Sequence, residues 1–332
     1  MLQPPTAAVT GAPPPAAGVR TPWRAVPAGL RRRVEDRLGA PVVEAANQAG
    51  GFSPGVAARV RLADGRRFFV KAVGPEPNPD TPGLHRAEAR ITAALPASAP
   101  VPRLLFSLDR DGWVVLVLED VDGRTPAQPW RTDELRRVLT AVGDLSRRLD
   151  PSPVAVPTLA EACDSRFRGW RRLLTAAHDR SWHDLSWLDP WARRNLPLLA
   201  GREAGWQAAA SGTALVHGDL RADNVLLTED RVVVVDWPWA AVGAPWFDVV
   251  ALAPSVLMHR TAEEAALPLL EAHLTARGAA PEDVTTVLAA VAGYFLSSSG
   301  LPSPPGLPTL RGFQRAQGEA ALRWLRRRLE PA

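Results

Sequence analysis

Cysteine, lysine and long apolar segments are the features that this 332-residue sequence has least of. Its single cysteine, Cys163, excludes an intrachain disulfide and a cysteine-based zinc cluster, and it favours a reducing compartment. The longest apolar stretch, residues 284–296, is shorter than the roughly 20 residues that a membrane-spanning helix needs. Residues 1–18 lack the early positive charge and the apolar core of a secretory signal. We therefore expect a cytoplasmic protein that binds no membrane.

The composition is that of a folded globular protein with a weak charge bias. Hydrophobic residues make up 46% and charged residues 22% of the chain, which excludes extensive disorder. A net charge of +4 is too small to predict binding to nucleic acid. Of the 39 basic residues, 38 are arginine and one, Lys71, is lysine. Because an ammonium and a planar guanidinium make different contacts, this exception indicates a specific role for Lys71.

The pattern of apolar residues divides the chain into a leader and two lobes. Residues 1–25 are rich in proline and alanine and predict a disordered leader. Residues 26–121 predict a helix and five strands, with a second helix before the fourth strand. From residue 132 onward the apolar residues recur with helical spacing, interrupted by one short hairpin. We predict a two-lobed α+β fold: an N-lobe over 26–121 with a five-stranded antiparallel sheet and a helix, and a mainly helical C-lobe over 122–332.

Two local patterns stand out in the predicted C-lobe. Capping boxes mark two predicted helix starts, Thr158 with Glu161 and Thr261 with Glu264. Tryptophans are concentrated in the helices that precede the short hairpin, where we expect most to be core and one or two to wall a pocket. These are Trp170, Trp182, Trp187, Trp191 and Trp206.

The strongest chemical signal is HGDLRADN at residues 217–224, followed by Asp236 after the short hairpin. This loop carries a carboxylate, Asp219, and an amide, Asn224. The hairpin that follows brings the carboxylate of Asp236 back to the same edge of the predicted fold as the loop. Asn224 and Asp236 supply oxygen ligands of the kind that Mg²⁺ prefers, which leaves Asp219 free to orient or deprotonate a hydroxyl. The segment matches the protein-kinase pattern H-R-D-L-x-x-x-N except that glycine replaces arginine at position 218.

With the sequence VVVVDW beyond it, this segment resembles the aminoglycoside phosphotransferase-like family, small-molecule kinases of the protein-kinase-like fold. The resemblance covers residues 40–255. It implies that Asp219 is the catalytic base, that Asn224 and Asp236 bind Mg²⁺, and that Asp248 braces the catalytic loop. It also implies ATP, or GTP, as the phosphoryl donor. We expect His217 to be structural and Arg221 to pair with either a phosphate or a carboxylate.

Lys71 lies on the third predicted strand, where the V-A-I-K motif places the lysine of protein kinases. In that role the ammonium contacts the α- and β-phosphates and is positioned by a glutamate of the next helix. Glu88 is the candidate, because it shares the inward face of the predicted helix with Leu84 and Ile91.

Two further segments are predicted to contact the nucleotide. Residues 50–55, GGFSPG, form a loop whose backbone N–H groups and serine hydroxyl can approach phosphates, although its glycines depart from G-x-G-x-x-G. A Walker A motif is absent, so a P-loop is excluded. By resemblance, the Glu119 carbonyl and the Val121 amide contact adenine. The loop residues assigned to phosphate are Gly50, Gly51, Ser53 and Gly55.

The acceptor is predicted to be a hydroxyl of a small molecule, either an antibiotic, a sugar or another metabolite. Residues 157–213 and 245–332 contain 14 acidic and 16 basic side chains, so they form no acidic basin for a polycationic aminoglycoside. We therefore expect a neutral or weakly charged acceptor, in resistance or in metabolism, and no obligate protein partner.

Two other functions stay open. A protein kinase is disfavoured because Asp236-Trp237-Pro238 replaces D-F-G and no A-P-E follows. A nucleotide-binding pseudokinase or regulatory scaffold is disfavoured because it would not need Lys71 together with Asp219.

Overall fold

The computed structural model describes residues 12–52, 54–76, 78–178 and 185–330. Their first half contains a five-stranded antiparallel sheet with strand order β1-β2-β3-β5-β4, which confirms the predicted fold class. The strands are β1 (Val42–Asn47), β2 (Val56–Leu62), β3 (Arg67–Val73), β4 (Leu104–Arg110) and β5 (Trp113–Glu119).

Two helices flank this sheet. Helix α1 (Ala28–Leu38) buries Leu30, Val34 and Leu38 with the apolar side chains of β2, β3 and β5, as its helical spacing predicts. It ends at Gly39, whose φ of 78° is the left-handed conformation that terminates many helices. Helix α2 (Thr81–Ala94) packs against β3, β4 and β5. The buried face of α2 therefore meets the strand that carries Lys71.

Residues 17–25 lie against the rest of the fold, which corrects the disordered leader predicted for residues 1–25. The Val19 N–H donates to the Gly306 carbonyl at 2.9 Å, and Trp23, in a short 3₁₀-helix, is buried. Proline-rich composition suggested disorder because it removes backbone donors, but the N–H groups of Val19 and Thr21 find partners far along the chain. Residues 1–11 are outside the described part of the chain.

The rest of the described chain is mainly helical, with four short strands. Strand β6 (Ala214–Val216) pairs with β9 (Ala241–Gly243), and β7 (Val225–Leu227) pairs with β8 (Val232–Val234) in the predicted hairpin. The helices are α3 (Thr132–Arg148), α4 (Leu159–Cys163), α5 (Gly169–His178), α6 (Pro190–Arg194), α7 (Leu196–Ala204), α8 (Trp206–Ala209), α9 (Phe247–Leu257), α10 (Arg260–Ala276), α11 (Pro281–Ser299) and α12 (Leu310–Leu329). Among the helices of the described residues, none has the length and apolarity needed to cross a membrane.

The tryptophan-rich region is mostly core, as its composition predicts. Trp170, Trp191 and Trp206 are buried in the large helical core, whereas Trp187 is partly buried at its edge. Trp182 lies outside the described residues.

The two predicted capping boxes have different outcomes. At α4 the Thr158 hydroxyl accepts from the Glu161 N–H at 3.2 Å and the Glu161 carboxylate accepts from the Thr158 N–H at 2.8 Å. The capping box predicted at Thr261 is wrong, because α10 already begins at Arg260 and Thr261 lies inside this helix. A four-residue pattern cannot exclude an earlier start when tertiary packing extends the helix.

Helices α5 and α11 cross where two glycines meet. A Cβ atom on Gly169 would lie 2.0 Å from the Gly293 carbonyl oxygen, and one on Gly293 would lie 2.6 Å from the Trp170 ring. It would also lie 2.7 Å from a carboxylate oxygen of Glu203, which is buried and accepts the Trp170 N–H at 2.9 Å. The two helices can therefore approach this closely only because Gly169 and Gly293 have no side chains.

We predict that Gly293→Ala lowers the free energy of unfolding by about 1–3 kcal/mol, because the extra methyl group overpacks this crossing. Gly201→Ala in α7 is the matched control, since no atom lies within 4 Å of its Cβ position. There the loss of helical glycine should raise stability by about 0.5–1 kcal/mol. Thermal unfolding of both variants measures the difference, and shifts of the same sign would contradict the packing argument.

Candidate active site

A cavity of about 450 Å³ lies between the sheet and the helical region. It brings together most of the residues that the sequence assigned to the donor. Gly55 and Asp219 are not among its lining residues, and Ser53 lies outside the described residues. The predicted site residues that line the cavity are Gly50, Gly51, Lys71, Glu88, Glu119, Val121, Asn224 and Asp236.

Lys71 lies between two carboxylates at the inner end of the cavity. Its Nζ donates to Glu88 Oε2 at 2.6 Å and to Asp236 Oδ1 at 2.5 Å. Strand β3 supplies the ammonium, α2 supplies Glu88, and the turn after β8 supplies Asp236. The sequence predicted the pair with Glu88 but not the second pair, which joins the sheet to the helical region.

One ammonium cannot neutralise both carboxylates, and their pKa values diverge. Burial disfavours the charged form of Lys71, but attraction by Asp236 and Glu88 outweighs burial and raises its pKa. Burial raises the pKa of Glu88 to about 7, while Lys71 opposes the shift. Burial acts in the same direction on Asp236, but Lys71 holds the pKa of that carboxyl well below its usual range. We assign the lasting negative charge to Asp236, whose side chain is 30% exposed against 4% for Glu88.

The catalytic-loop segment begins directly after β6 and is fixed by buried hydrogen bonds. Asp248, in α9, accepts the His217 N–H at 2.7 Å and the Gly218 N–H at 3.0 Å, the bracing arrangement that the resemblance implied. Gly218 has a φ of 78°, and a Cβ there would lie 2.3 Å from the Trp239 carbonyl oxygen. Only glycine fits this position without strain, which accounts for glycine where protein kinases have arginine.

His217 has the structural contacts expected of it. Its Nδ1 accepts the Asp219 N–H at 3.3 Å, and its Nε2 lies 2.9 Å from the Val235 carbonyl oxygen. These partners require the neutral tautomer with its proton on Nε2. The ring therefore links the loop of Asp219 to the strand end that precedes Asp236.

Asp219 is held by Arg221, which therefore has a carboxylate partner, one of the two kinds expected for it. The Arg221 Nη1 lies 2.7 and 2.6 Å from the two oxygens of Asp219, and the same guanidinium makes two 3.0 Å bonds to Asp223. Burial raises the pKa of Asp219, and attraction by Arg221 opposes the shift. A raised pKa makes Asp219 a stronger base than an exposed aspartate.

Asn224 and Asp236 both line the cavity and carry oxygen donors of the kind that a divalent cation prefers. The Asn224 Nδ2 donates to the Asp219 carbonyl at 2.8 Å, which leaves its side-chain oxygen for other ligands. Asp236 has a φ of 71°, a strained conformation of the kind found at ligand sites. In the described part of the chain, no group of three His, Cys, Asp or Glu side chains could hold a metal alone. Water and phosphate would have to complete the shell, as is usual for Mg²⁺.

The connector between the lobes is held by ion pairs at its centre. Asp120 pairs with Arg59 at 3.1 Å and with Arg67 at 2.8 Å, and the Arg59 guanidinium also donates to the Val121 carbonyl at 2.7 Å. Glu119 ends β5. The two residues assigned to adenine therefore lie on either side of a fixed aspartate at the cavity wall.

Several residues near the site escaped the sequence analysis. Arg20 lines the cavity, although its segment was assigned to the leader. Arg166 lies over the Trp239 ring at 4.0 Å, and Phe52 of the glycine loop contacts Phe313 of α12 with ring centroids 5.0 Å apart. Arg20 and Arg166 belong to no local motif, and the partner of Phe52 lies far along the chain, so spacing could not have identified these contacts.

Comparison with known proteins adds a family and a fold. Residues 49–284 match the phosphotransferase enzyme family, whereas no curated protein matches the sequence. A choline/ethanolamine kinase family protein from Mesorhizobium loti is 16% identical, with a TM-score of 0.60 over 91% of this chain and 97% of that one. A thermostable mutant of aminoglycoside phosphotransferase APH(4)-Ia, in a ternary complex with ADP and hygromycin B, is 15% identical, with a TM-score of 0.57 over 92% and 100%. These similarities confirm the protein-kinase-like fold.

We predict that Asp248→Asn lowers the free energy of unfolding by about 1–3 kcal/mol, because one of two buried N–H donors loses its acceptor and faces an NH₂ group. The control is Asp36→Asn on the exposed face of α1, which should change stability by less than about 0.5 kcal/mol. Denaturant unfolding measures both values. Equal stability of the two variants would remove the bracing role of Asp248.

Proposed function

The chain belongs to the phosphotransferase enzyme family, and we propose that it transfers the γ-phosphoryl group of ATP to a hydroxyl of a small molecule with the aid of Mg²⁺. The observation that carries this proposal is Lys71, bonded to both Glu88 and Asp236 at the inner end of the cavity. GTP is the alternative donor, since backbone groups of the connector recognise the base in this proposal.

Phosphoryl transfer depends mainly on positioning and on neutralising charge, and the cavity has groups for both. Lys71 contacts the α- and β-phosphates and is positioned by Glu88. The backbone of Gly50 and Gly51, which line the cavity, approaches the phosphates. Glu119 and Val121 hold adenine. Mg²⁺, held by Asn224 and Asp236, would neutralise charge on the phosphates.

Asp219 acts on the acceptor. Its carboxylate orients the hydroxyl and takes its proton as the hydroxyl oxygen bonds to the γ-phosphorus. The bond from that phosphorus to the bridging oxygen breaks in the same step, and ADP leaves. Arg221 keeps two contacts to Asp223 when the acceptor displaces its bonds to Asp219, so the guanidinium stays beside the transferring group. The attraction by Arg221 also opposes the rise in the pKa of Asp219 that burial causes.

The acceptor side of the site has cationic and aromatic groups, which favours a neutral or weakly charged acceptor. Arg166 stacks on Trp239, whose carbonyl lies against the catalytic loop. Tyr294 lies near Arg166, Asp219 and Arg221. Arg221 is bonded to the proposed catalytic carboxylate, so a polycation that approached Asp219 would be repelled by this arginine. We therefore propose hydroxylated metabolites or antibiotics of low positive charge.

The test begins with release of nucleoside diphosphate over a panel of hydroxyl compounds and aminoglycosides. On an acceptor found in this way, Asp219→Asn should lower phosphoryl transfer by roughly 100-fold or more and leave ATP affinity nearly unchanged. Asp230→Asn, in the exposed turn between β7 and β8, is the control with no expected effect.

Three results would count against the proposal. Wild type that binds ATP but transfers phosphate to nothing in the panel supports the pseudokinase alternative. Transfer to a protein substrate alone supports a protein kinase. Equal rates for wild type and Asp219→Asn would remove the catalytic role of Asp219.

A further inference from the structure

We propose that Arg20 binds the terminal phosphates of the nucleotide and that residues 16–21, named here the strap, hold the glycine loop over them. The strap lies outside residues 49–284, the part of the chain that matches the family. The inference rests on the proposed nucleotide donor and adds to it a residue that the family match does not contain.

The strap joins the C-terminal helical region to the glycine loop. At one end, the Thr309 hydroxyl donates to the Ala17 carbonyl at 2.9 Å, and the Val19 N–H donates to the Gly306 carbonyl at 2.9 Å. At the other end, the Thr21 N–H donates to the Gly55 carbonyl at 3.0 Å. Both ends of the strap are therefore fixed by backbone groups, and the side chain between them is positioned at the loop.

The glycine loop has a shape that admits the Arg20 side chain. The Arg20 Nη2 donates to the Gly50 carbonyl. A Cβ on Gly51 would lie 3.0 Å from that same Nη2, and one on Gly18 would lie 3.4 Å from the Gly51 carbonyl oxygen. Gly51, whose place next to Gly50 departs from the G-x-G-x-x-G pattern, therefore leaves space for the guanidinium.

The charges around Arg20 place it on the phosphate side of the cavity. It lines the same cavity as Lys71, Asp223 and Asp236, and it is attracted electrostatically to both aspartates. A nucleoside triphosphate brings more negative charge than Lys71 neutralises, because that ammonium is already shared between two carboxylates. A guanidinium matches phosphate oxygens with two parallel N–H groups, so it is suited to the additional contact.

An opposite role for the same side chain is a plug that occupies the phosphate position and competes with nucleotide. The two roles change nucleotide affinity in opposite directions. If Arg20 binds phosphate, it strengthens nucleotide binding, and more so for nucleotides with more phosphates. If Arg20 is a plug, it weakens the binding of every nucleotide that enters the cavity.

The experiment measures the calorimetric affinities of ATP, ADP and AMP, with Mg²⁺, for wild type, Arg20→Ala, Arg20→Lys and Arg24→Ala. Arg24 is an exposed arginine in the 3₁₀-helix that follows the strap. Arg20→Ala should weaken ATP binding by roughly 10- to 100-fold, the value of a charge-assisted contact, and AMP binding by far less. Arg20→Lys should keep part of the preference for ATP over AMP, and Arg24→Ala should keep all of it.

The outcomes separate this inference from the proposed function. If wild type prefers ATP and Arg20→Ala keeps the full preference, Arg20 does not bind phosphate, although the nucleotide site stands. Equal weakening for all three nucleotides reduces Arg20 to a structural contact of the strap, and tighter binding shows a plug. If wild type binds no ATP, the donor site and this inference both fail.

Discussion

The bond network of Lys71 is the interaction on which the rest of the site depends. Its ammonium joins β3, α2 and the turn after β8, so the sheet and the helical region are coupled through one buried cation. Replacing it with a neutral group would leave the buried carboxylate of Glu88 and the partly exposed one of Asp236 without this ammonium, and loss of one partner of a buried ion pair is costly. Retention of one lysine in a chain of arginines follows from this, because a compact ammonium can donate to two carboxylates from a single atom.

The loop that carries Asp219 depends on backbone geometry. Gly218 allows the catalytic loop to approach the Trp239 carbonyl, and Asp248 accepts the two N–H groups that this turn leaves unpaired. The loop that carries Asp219 is thereby fixed, and Arg221 bonds to both oxygens of the Asp219 carboxylate. The residues proposed for the donor and those proposed for the acceptor thus lie on separate elements that are each fixed by buried polar contacts, and such preorganisation suits the proposed phosphoryl transfer.

Much of this arrangement could be predicted from local sequence. Periodicity and turn residues predict the bounds of the strands, the hairpin before Asp236 and the inward-facing position of Glu88. Neighbours in sequence determine each of these features. Arg20 and Arg166 could not be predicted, since each reaches the site through packing with distant segments. The disorder predicted for residues 17–25 was wrong for the same reason: composition describes the unfolded chain, whereas the partners of Val19 and Thr21 lie far along the sequence.

The most direct test of the account is the dependence of ATP affinity on Mg²⁺ in wild type and in Asp236→Ala. Asp236 keeps its negative charge beside Lys71 and Asn224, so we expect Mg²⁺ to tighten ATP binding to wild type strongly over binding in EDTA. In Asp236→Ala the affinity with Mg²⁺ should fall to the value measured in EDTA. The same Mg²⁺-dependent gain in both proteins would contradict the account, because the cation would then bind elsewhere.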